Sequence, residues 1–231
     1  MALPHLPATG QFHVRRLWPS DRAAIVDYFL RLDPETRAGR FMGAVSAAGV
    51  RAYAERSVRA EGLMFGAFKD GMLRGLGELR PAGPPPPGMI LGPEAEAAFA
   101  VERDFRRTGL GSALFARIAD AARNRGVSDL HVRCLTRNGP MRGLAAKLGA
   151  DLRPAGPETE GALHLARPTP FSLWHEGIAE AFDLTLAFAA AGRGRGGRHR
   201  SARTLKLPSS GPRPPRWWLR AAPPEGARTR G

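Results

Sequence analysis

"RRTGLGSALF", Arg106 to Phe115, joins a predicted strand to a predicted helix and carries two arginines and two closely spaced glycines. Gly109 and Gly111 let the backbone curl so that successive N–H groups converge, and a helix N-terminus adds about half a positive charge. The stretch suits an anion, and three phosphate-binding loops begin this way. A P-loop needs GxxxxGK[ST], but Ser112-Ala113 follow Gly111, so the lysine for the β- and γ-phosphates is missing. A dinucleotide-binding GxGxxG is met at Gly109 and Gly111 and fails at its third position, Leu114. Asp129 opens the next strand, whereas a ribose-binding acid belongs at a strand's far end. What remains is strand, Arg106-Arg107-Thr108-Gly109-Leu110-Gly111, helix: a pyrophosphate cradle made of backbone amides.

Periodicity supplies the elements around it. "FHVRRLW" (12–18) alternates as a strand, and Ser20 is expected to cap a helix with Ile25, Phe29 and Leu32 on one face. Asp33 caps a second helix that starts at Pro34, and residues 50–58 form a third. "LMFGAFKDGMLRGLGELR" reads as two strands about the turn Lys69-Asp70-Gly71. A proline-rich loop (81–93) precedes the strand 95–101 in "EAEAAFAV", and Leu110, Leu114 and Ile118 mark the apolar face of the next helix. "SDLHVRCL" is a strand that places Cys134 at the buried parity of Leu130 and Val132. A helix follows from Asn138 with Met141, Leu144, Ala145 and Leu148 in one stripe and Gly149 as its left-handed cap. "ALHLAR" (162–167) is the last strand. The predicted fold is a single α/β (α+β) domain over residues 11–168, a central mixed sheet, largely antiparallel, flanked by helices. Residues 172–191 form an amphipathic helix packed on it.

Composition sets the class. The chain has 231 residues, 43% of them hydrophobic, and no apolar run of the ~20 residues that a bilayer span needs, so a cytoplasmic location is expected. With one cysteine, and six histidines without helical pairing, no metal site is expected. Of the net charge of +14, residues 193–231 supply +10, from eleven Lys and Arg against Glu225. That Gly-, Pro- and Arg-rich segment (192–231) reads as a disordered basic tail. It is either a solvated extension or an arm (193–230) for nucleic acid or an acidic surface, with Trp217 and Trp218 available for stacking.

The R-x-x-G-x-G spacing, in order after the strand "AEAAFAV" and before "NGPMRGLAAKLGA", resembles the acetyl-CoA signature of the GNAT superfamily of N-acetyltransferases. The last stretch is similar to the family's N-x-x-M-x-x-L-x-x-x-L-G helix. "LDPETRAGRF" resembles a stretch near the start of bacterial protein-lysine acetyltransferase domains. The resemblance covers residues 11 to 168.

It implies an acetyl-CoA-dependent N-acetyltransferase whose acceptor is a primary amine, protein lysine first and a small amine second. The backbone from Arg106 through Arg107, Thr108, Gly109, Leu110 and Gly111 to Ser112 would hold pyrophosphate. The strand edge at Phe99, Ala100 and Val101 would pair with the pantetheine arm, and a backbone N–H of that strand would meet the oxyanion. An ammonium of pKa ~10 needs a base, and Glu96 is the candidate. It shares parity with the small Ala98 and Ala100, while Ala97, Phe99 and Val101 face the core. Partial burial is expected to raise its pKa, and Glu94 is the nearest substitute. Asn138 caps its helix, and in the family the matching asparagine also lies near the cofactor arm. The only tyrosines, Tyr28 and Tyr53, sit on early helices, so no general acid is assigned. Arg37 and Arg40 fall in a stretch that in the family tends to line the acceptor side; they either attract an acidic substrate or form a solvated helix face, and the latter is expected. The alternatives are an acyl-CoA-sensing domain without catalysis, or a nucleic-acid-binding protein that works through its tail.

Overall fold

The computed structural model describes residues 12–193 apart from residue 59, with side chains as far as Thr185. Strand β1 (His13–Arg16) leads through a single 3-10 turn (Pro19–Asp21) to helices α1 (Arg22–Arg31), α2 (Pro34–Phe41) and α3 (Ala47–Ser57). Strands β2 (Leu63–Lys69), β3 (Met72–Pro81) and β4 (Glu94–Val101) follow, then α4 (Leu110–Arg123), β5 (Asp129–Leu135) and α5 (Gly139–Lys147). A hairpin of β6 (Asp151–Ala155) and β7 (Glu158–His164) leads to α6 (Pro170–Arg193). The strands make one sheet in the order β1-β2-β3-β4-β5-β7-β6. Only β4 and β5 run parallel, so the sheet is mixed and largely antiparallel, as expected.

Helices cover both faces of this sheet. On one, α4 buries Leu110, Leu114, Phe115 and Ile118 against β2 to β5. It lies so close to β3 that a Cβ at Gly75 or Gly77 would come within 2.4 Å of Leu110 or Ile118, which is why glycine stands at both places. On the other, α1 and α3 bury Ile25, Phe29, Val50 and Tyr53 against Met64, Phe68 and Leu76. The hairpin between β2 and β3 turns at Asp70 and Gly71, both with positive φ, the geometry that a two-residue hairpin favours.

Several expectations need correction. Ser20 does not cap α1: Asp21 is the N-cap residue, and its carboxylate accepts from the Trp18 N–H at 2.9 Å and from Arg15 at 2.9 and 2.6 Å. A buried arginine demands a carboxylate, and Asp21 supplies it. β6 was not predicted, because "DLRPA" is short, mostly exposed and contains Pro154; an edge strand tolerates that proline since one side of its ladder is free. Its partner β7 starts at Glu158 rather than Ala162. Arg37 and Arg40 are not a solvated face. Arg37 donates to the carbonyls of Leu30 and Leu32 at the end of α1, and Arg40 is buried. Helix α6 starts at Pro170 and ends at Arg193; residues 194–231 of the predicted tail, Trp217 and Trp218 included, lie outside the described residues.

Candidate active site

Strands β4 and β5 pair only from Glu94 and Asp129 to Ala97 and Val132. Beyond that point β4 continues to Val101 paired only with β3, and β5 to Leu135 paired only with β7, and a cleft of about 1040 Å³ opens between α2, the end of β4, the 103–112 segment and α5. That is large enough for an extended organic ligand.

Most of the residues predicted to bind cofactor line this cleft: Phe99, Ala100, Val101, Arg106, Arg107, Gly109, Gly111, Ser112 and Asn138. Two do not. Thr108 is exposed and donates its hydroxyl to the Phe105 carbonyl at 2.8 Å, and the Leu110 side chain is buried under α4. Asn138 does cap α5, its Oδ1 accepting from the Met141 N–H at 3.2 Å.

The N-terminus of α4 differs from those of α2, α3 and α5. Those three carry side-chain caps from Asp33, Ser46 and Asn138, whereas α4 begins at Gly109 with φ +89° and no side-chain cap. Gly109, Gly111 and Ser112 at this end line the cleft, and the N–H groups of a helix's first turn have no intrahelical acceptor. Arg107, itself at φ +60°, Arg137 and Lys147 line the same space and carry no ion pair among the described residues. Arg106 is already engaged, donating to Thr36 Oγ1 at 2.5 Å and to the Val101 carbonyl at 3.4 Å, so it ties the loop to α2.

Glu96 lies outside that cleft lining. It borders a second recess of about 360 Å³, at the end where β4 and β5 still pair, together with Glu94, Ala98, His131, Arg133 and Glu160. It stands opposite His131 in the β5 register and Arg80 in the β3 register. The predicted parity holds only in part: Ala97 is buried in the core under α4 and Ala98 borders the recess, but Ala100 is buried in the opposite core with Phe29 and Leu76, and Phe99 and Val101 line the cleft as well as packing on the α4 side. One strand therefore connects both spaces.

Neither tyrosine lines them. The Tyr28 hydroxyl is buried and donates to the Ala100 carbonyl at 2.6 Å, which adds a tie to the end of β4; burial pushes its pKa far up. Tyr53 belongs to a sealed network that the sequence reading missed. Glu78 is fully buried, within 2.5 Å of Arg40, 2.8 Å of the Tyr53 hydroxyl and 2.9 Å of Arg80. Burial alone would raise the Glu78 pKa; Arg40, Arg80 and the Tyr53 hydrogen bond outweigh it and hold the carboxyl low. Arg40 thus reaches the cleft wall from a rigid anchor. The available signal was a run of charged residues, Arg74, Glu78 and Arg80, at one parity of a strand otherwise made of apolar residues and glycine. His131, Glu160, Arg137 and Lys147 carried no comparable signal.

The model of the Acetyltransferase (GNAT) family matches residues 25–150, more than half of the chain. The chain belongs to the GNAT acetyltransferase family. Solved structures share the GNAT fold at low identity. The GNAT domain of S. lividans PAT is 22% identical, with a TM-score of 0.54 over 66% of this chain and 89% of its own. The protein yncA of Salmonella typhimurium, solved with its cofactor acetyl-CoA, is 18% identical, with a TM-score of 0.52 over 69% and 96%. The ribosomal-protein-alanine N-acetyltransferase of Brucella melitensis is 18% identical, with a TM-score of 0.51 over 66% and 99%. No curated protein is matched by the sequence. The matched GNAT segment contains the parting of β4 and β5, the uncapped start of α4 and Glu96.

Proposed function

We propose that the protein transfers an acetyl group from acetyl-CoA to a primary amine, with protein lysine as the favoured acceptor. The observation that carries this reading is the parting of β4 from β5. It sets an uncapped helix N-terminus with added cations at one end of a strand and a carboxylate at the other.

The residues fit the co-substrate. The N–H groups at the start of α4 suit a pyrophosphate, Arg107, Arg137 and Lys147 suit further negative charge, and the unpaired edge from Ala98 to Val101 suits the amides of a pantetheine arm. Bound there, acetyl-CoA supplies an activated thioester. The recess suits the acceptor: Glu94, Glu96 and Glu160 face Arg133 and His131, and Arg133 is already bonded to Glu160 at 3.0 Å. The surplus of carboxylates favours a cation such as a lysine ammonium.

Glu96 takes the proton of that ammonium, whose solution pKa is ~10.4. The amine nitrogen then attacks the carbonyl carbon, the C–S bond breaks so that the thiolate leaves as an anion, and the nitrogen gives up its second proton to solvent to leave the neutral amide. A thiol pKa of ~8.5 makes that departure feasible without a tyrosine acid.

The test is CoA release from acetyl-CoA with lysine peptides and small amines, alongside calorimetric binding of acetyl-CoA. Glu96→Gln is expected to lower kcat by about 10²-fold or more with acetyl-CoA affinity unchanged. Unchanged turnover in that variant overturns the role of Glu96. Failure of acetyl-CoA to bind overturns the whole reading, and binding without turnover on any amine points to an acyl-CoA sensor instead.

A further inference from the structure

Helix α6 lies against β1, the first 3-10 turn and α4, and the face it buries is its polar one. Glu176 accepts from Arg125 at 2.6 Å and Asn124 at 2.8 Å; Glu180 accepts from Arg16 and Arg125, each at 2.8 Å. Asp183 accepts from the backbone N–H of Arg16 at 2.8 Å and from Arg117 at 3.4 Å. These are the three acids of the helix, and all are spent on the domain.

What faces outward is apolar. Phe171, Trp174 and Phe182 are 72%, 64% and 66% exposed, and Leu173, Ile178 and Leu184 are exposed beside them. Phe171, Trp174, Ile178 and Phe182 follow one another at helical spacing in a single stripe. No Asp, Glu, Lys or Arg stands on the outward surface between 171 and 185. A helix that meets only water presents the opposite arrangement.

The sequence changes character where α6 ends. From Arg193 to Lys206 it has six basic residues and no acidic one, and residues 193–231 carry +10. A second copy of the chain would cover the stripe but leave that charge without a counterpart. A nucleic acid would meet the charge but leave the aromatic side chains in water. An anionic bilayer uses both: apolar side chains enter the headgroup boundary and nearby cations meet lipid phosphates, the two signals together that peripheral attachment needs. Among the described residues no helix is long and apolar enough to cross a membrane, so the mode is lying on the surface.

We infer that α6 docks on an anionic phospholipid bilayer through the Phe171-Trp174-Ile178-Phe182 stripe, the sequence charge of +10 over residues 193–231 favouring anionic lipid. The test is co-sedimentation of the full chain with phosphatidylcholine vesicles containing phosphatidylglycerol, and with phosphatidylcholine alone. Binding is expected to the anionic vesicles only. It is expected to fall at least about tenfold in Trp174→Glu/Phe182→Glu and about fivefold for each of Arg193→Gln and Arg195→Gln, with acetyl-CoA binding unchanged in every variant. Absence of binding to the anionic vesicles overturns the inference, as does equal binding by the double glutamate variant. Three results identify another occupant and overturn it too. One is a dimer in sedimentation velocity that Trp174→Glu/Phe182→Glu dissolves, in a chain that ignores vesicles. Another is salt-sensitive retention on RNA without vesicle binding. The third is vesicle binding only after removal of residues 207–231, which would place Trp217 and Trp218 on the stripe.

Discussion

Helices α4 and α6 touch each other, yet they bury opposite kinds of surface. α4 turns Leu110, Leu114 and Ile118 onto the sheet and leaves Arg117 on its outer side. α6 then meets that outer side, with Asn124 and Arg125 just beyond it, and does so with Glu176, Glu180 and Asp183. Amphipathicity gives a helix two candidate inner faces; the chemistry already present on its neighbour selects between them. An apolar sheet studded with glycines calls for leucine and isoleucine, and a row of arginines calls for carboxylates. The two seams should therefore fail under different conditions.

The largest effect tests whether ionic contacts are weak as such. Glu78→Gln leaves Arg40 and Arg80 buried without their carboxylate and is expected to cost about 3–5 kcal/mol in denaturant unfolding. The Glu78 pKa is depressed on folding, so its contribution is complete above the ordinary carboxylate pKa and is lost as pH falls through the lower folded value. The glutamine variant should therefore lose part of the acid-induced destabilisation seen in the parent; an identical acid limb would contradict this. Next comes Leu114→Ala, which empties volume in a sealed core at about 2–5 kcal/mol and lowers the unfolding midpoint of the whole domain.

Arg125→Ala removes two ion pairs from the α6 seam, at about 1 kcal/mol. Amide exchange should speed up in α6 while the global midpoint barely moves; a fall like that of Leu114→Ala would make α6 part of the same cooperative unit. The smallest effect is that of salt. At 1 M the screening length is ~3 Å, so exchange in α6 should rise modestly and exchange in α4 should not.

Much of this fold is legible in the sequence, for reasons that differ by element. The apolar period of α4, the Asp33-Pro34 start of α2 and the Asp70-Gly71 turn are local signals, and each appears where it was expected. The hairpin of β6 and β7 was half missed because an exposed edge strand needs no apolar alternation. In the candidate site, glycines at 109 and 111 mark the proposed cradle because only backbone geometry is required there. At Arg106 the two parts of the residue divide: its backbone belongs to the predicted cradle, and its guanidinium holds α2, which no motif announces. The Arg40-Glu78-Tyr53 network joins three elements far apart in the chain, so no local pattern announces it. The inner face of α6 was hidden for the same reason, since its arginine partners lie on β1, on α4 and just beyond α4.

The cleft exists because two neighbouring strands stop pairing after Ala97 and Val132. Engineering for thermostability usually extends ladders, fills gaps and straightens strands, and here each of those improvements would close the cleft proposed to receive acetyl-CoA. A variant selected only for resistance to heat is thus at risk of healing its own active site. Screens for hardier versions should retain acetyl-CoA binding as a second criterion and leave residues 98–101 and 133–135 untouched.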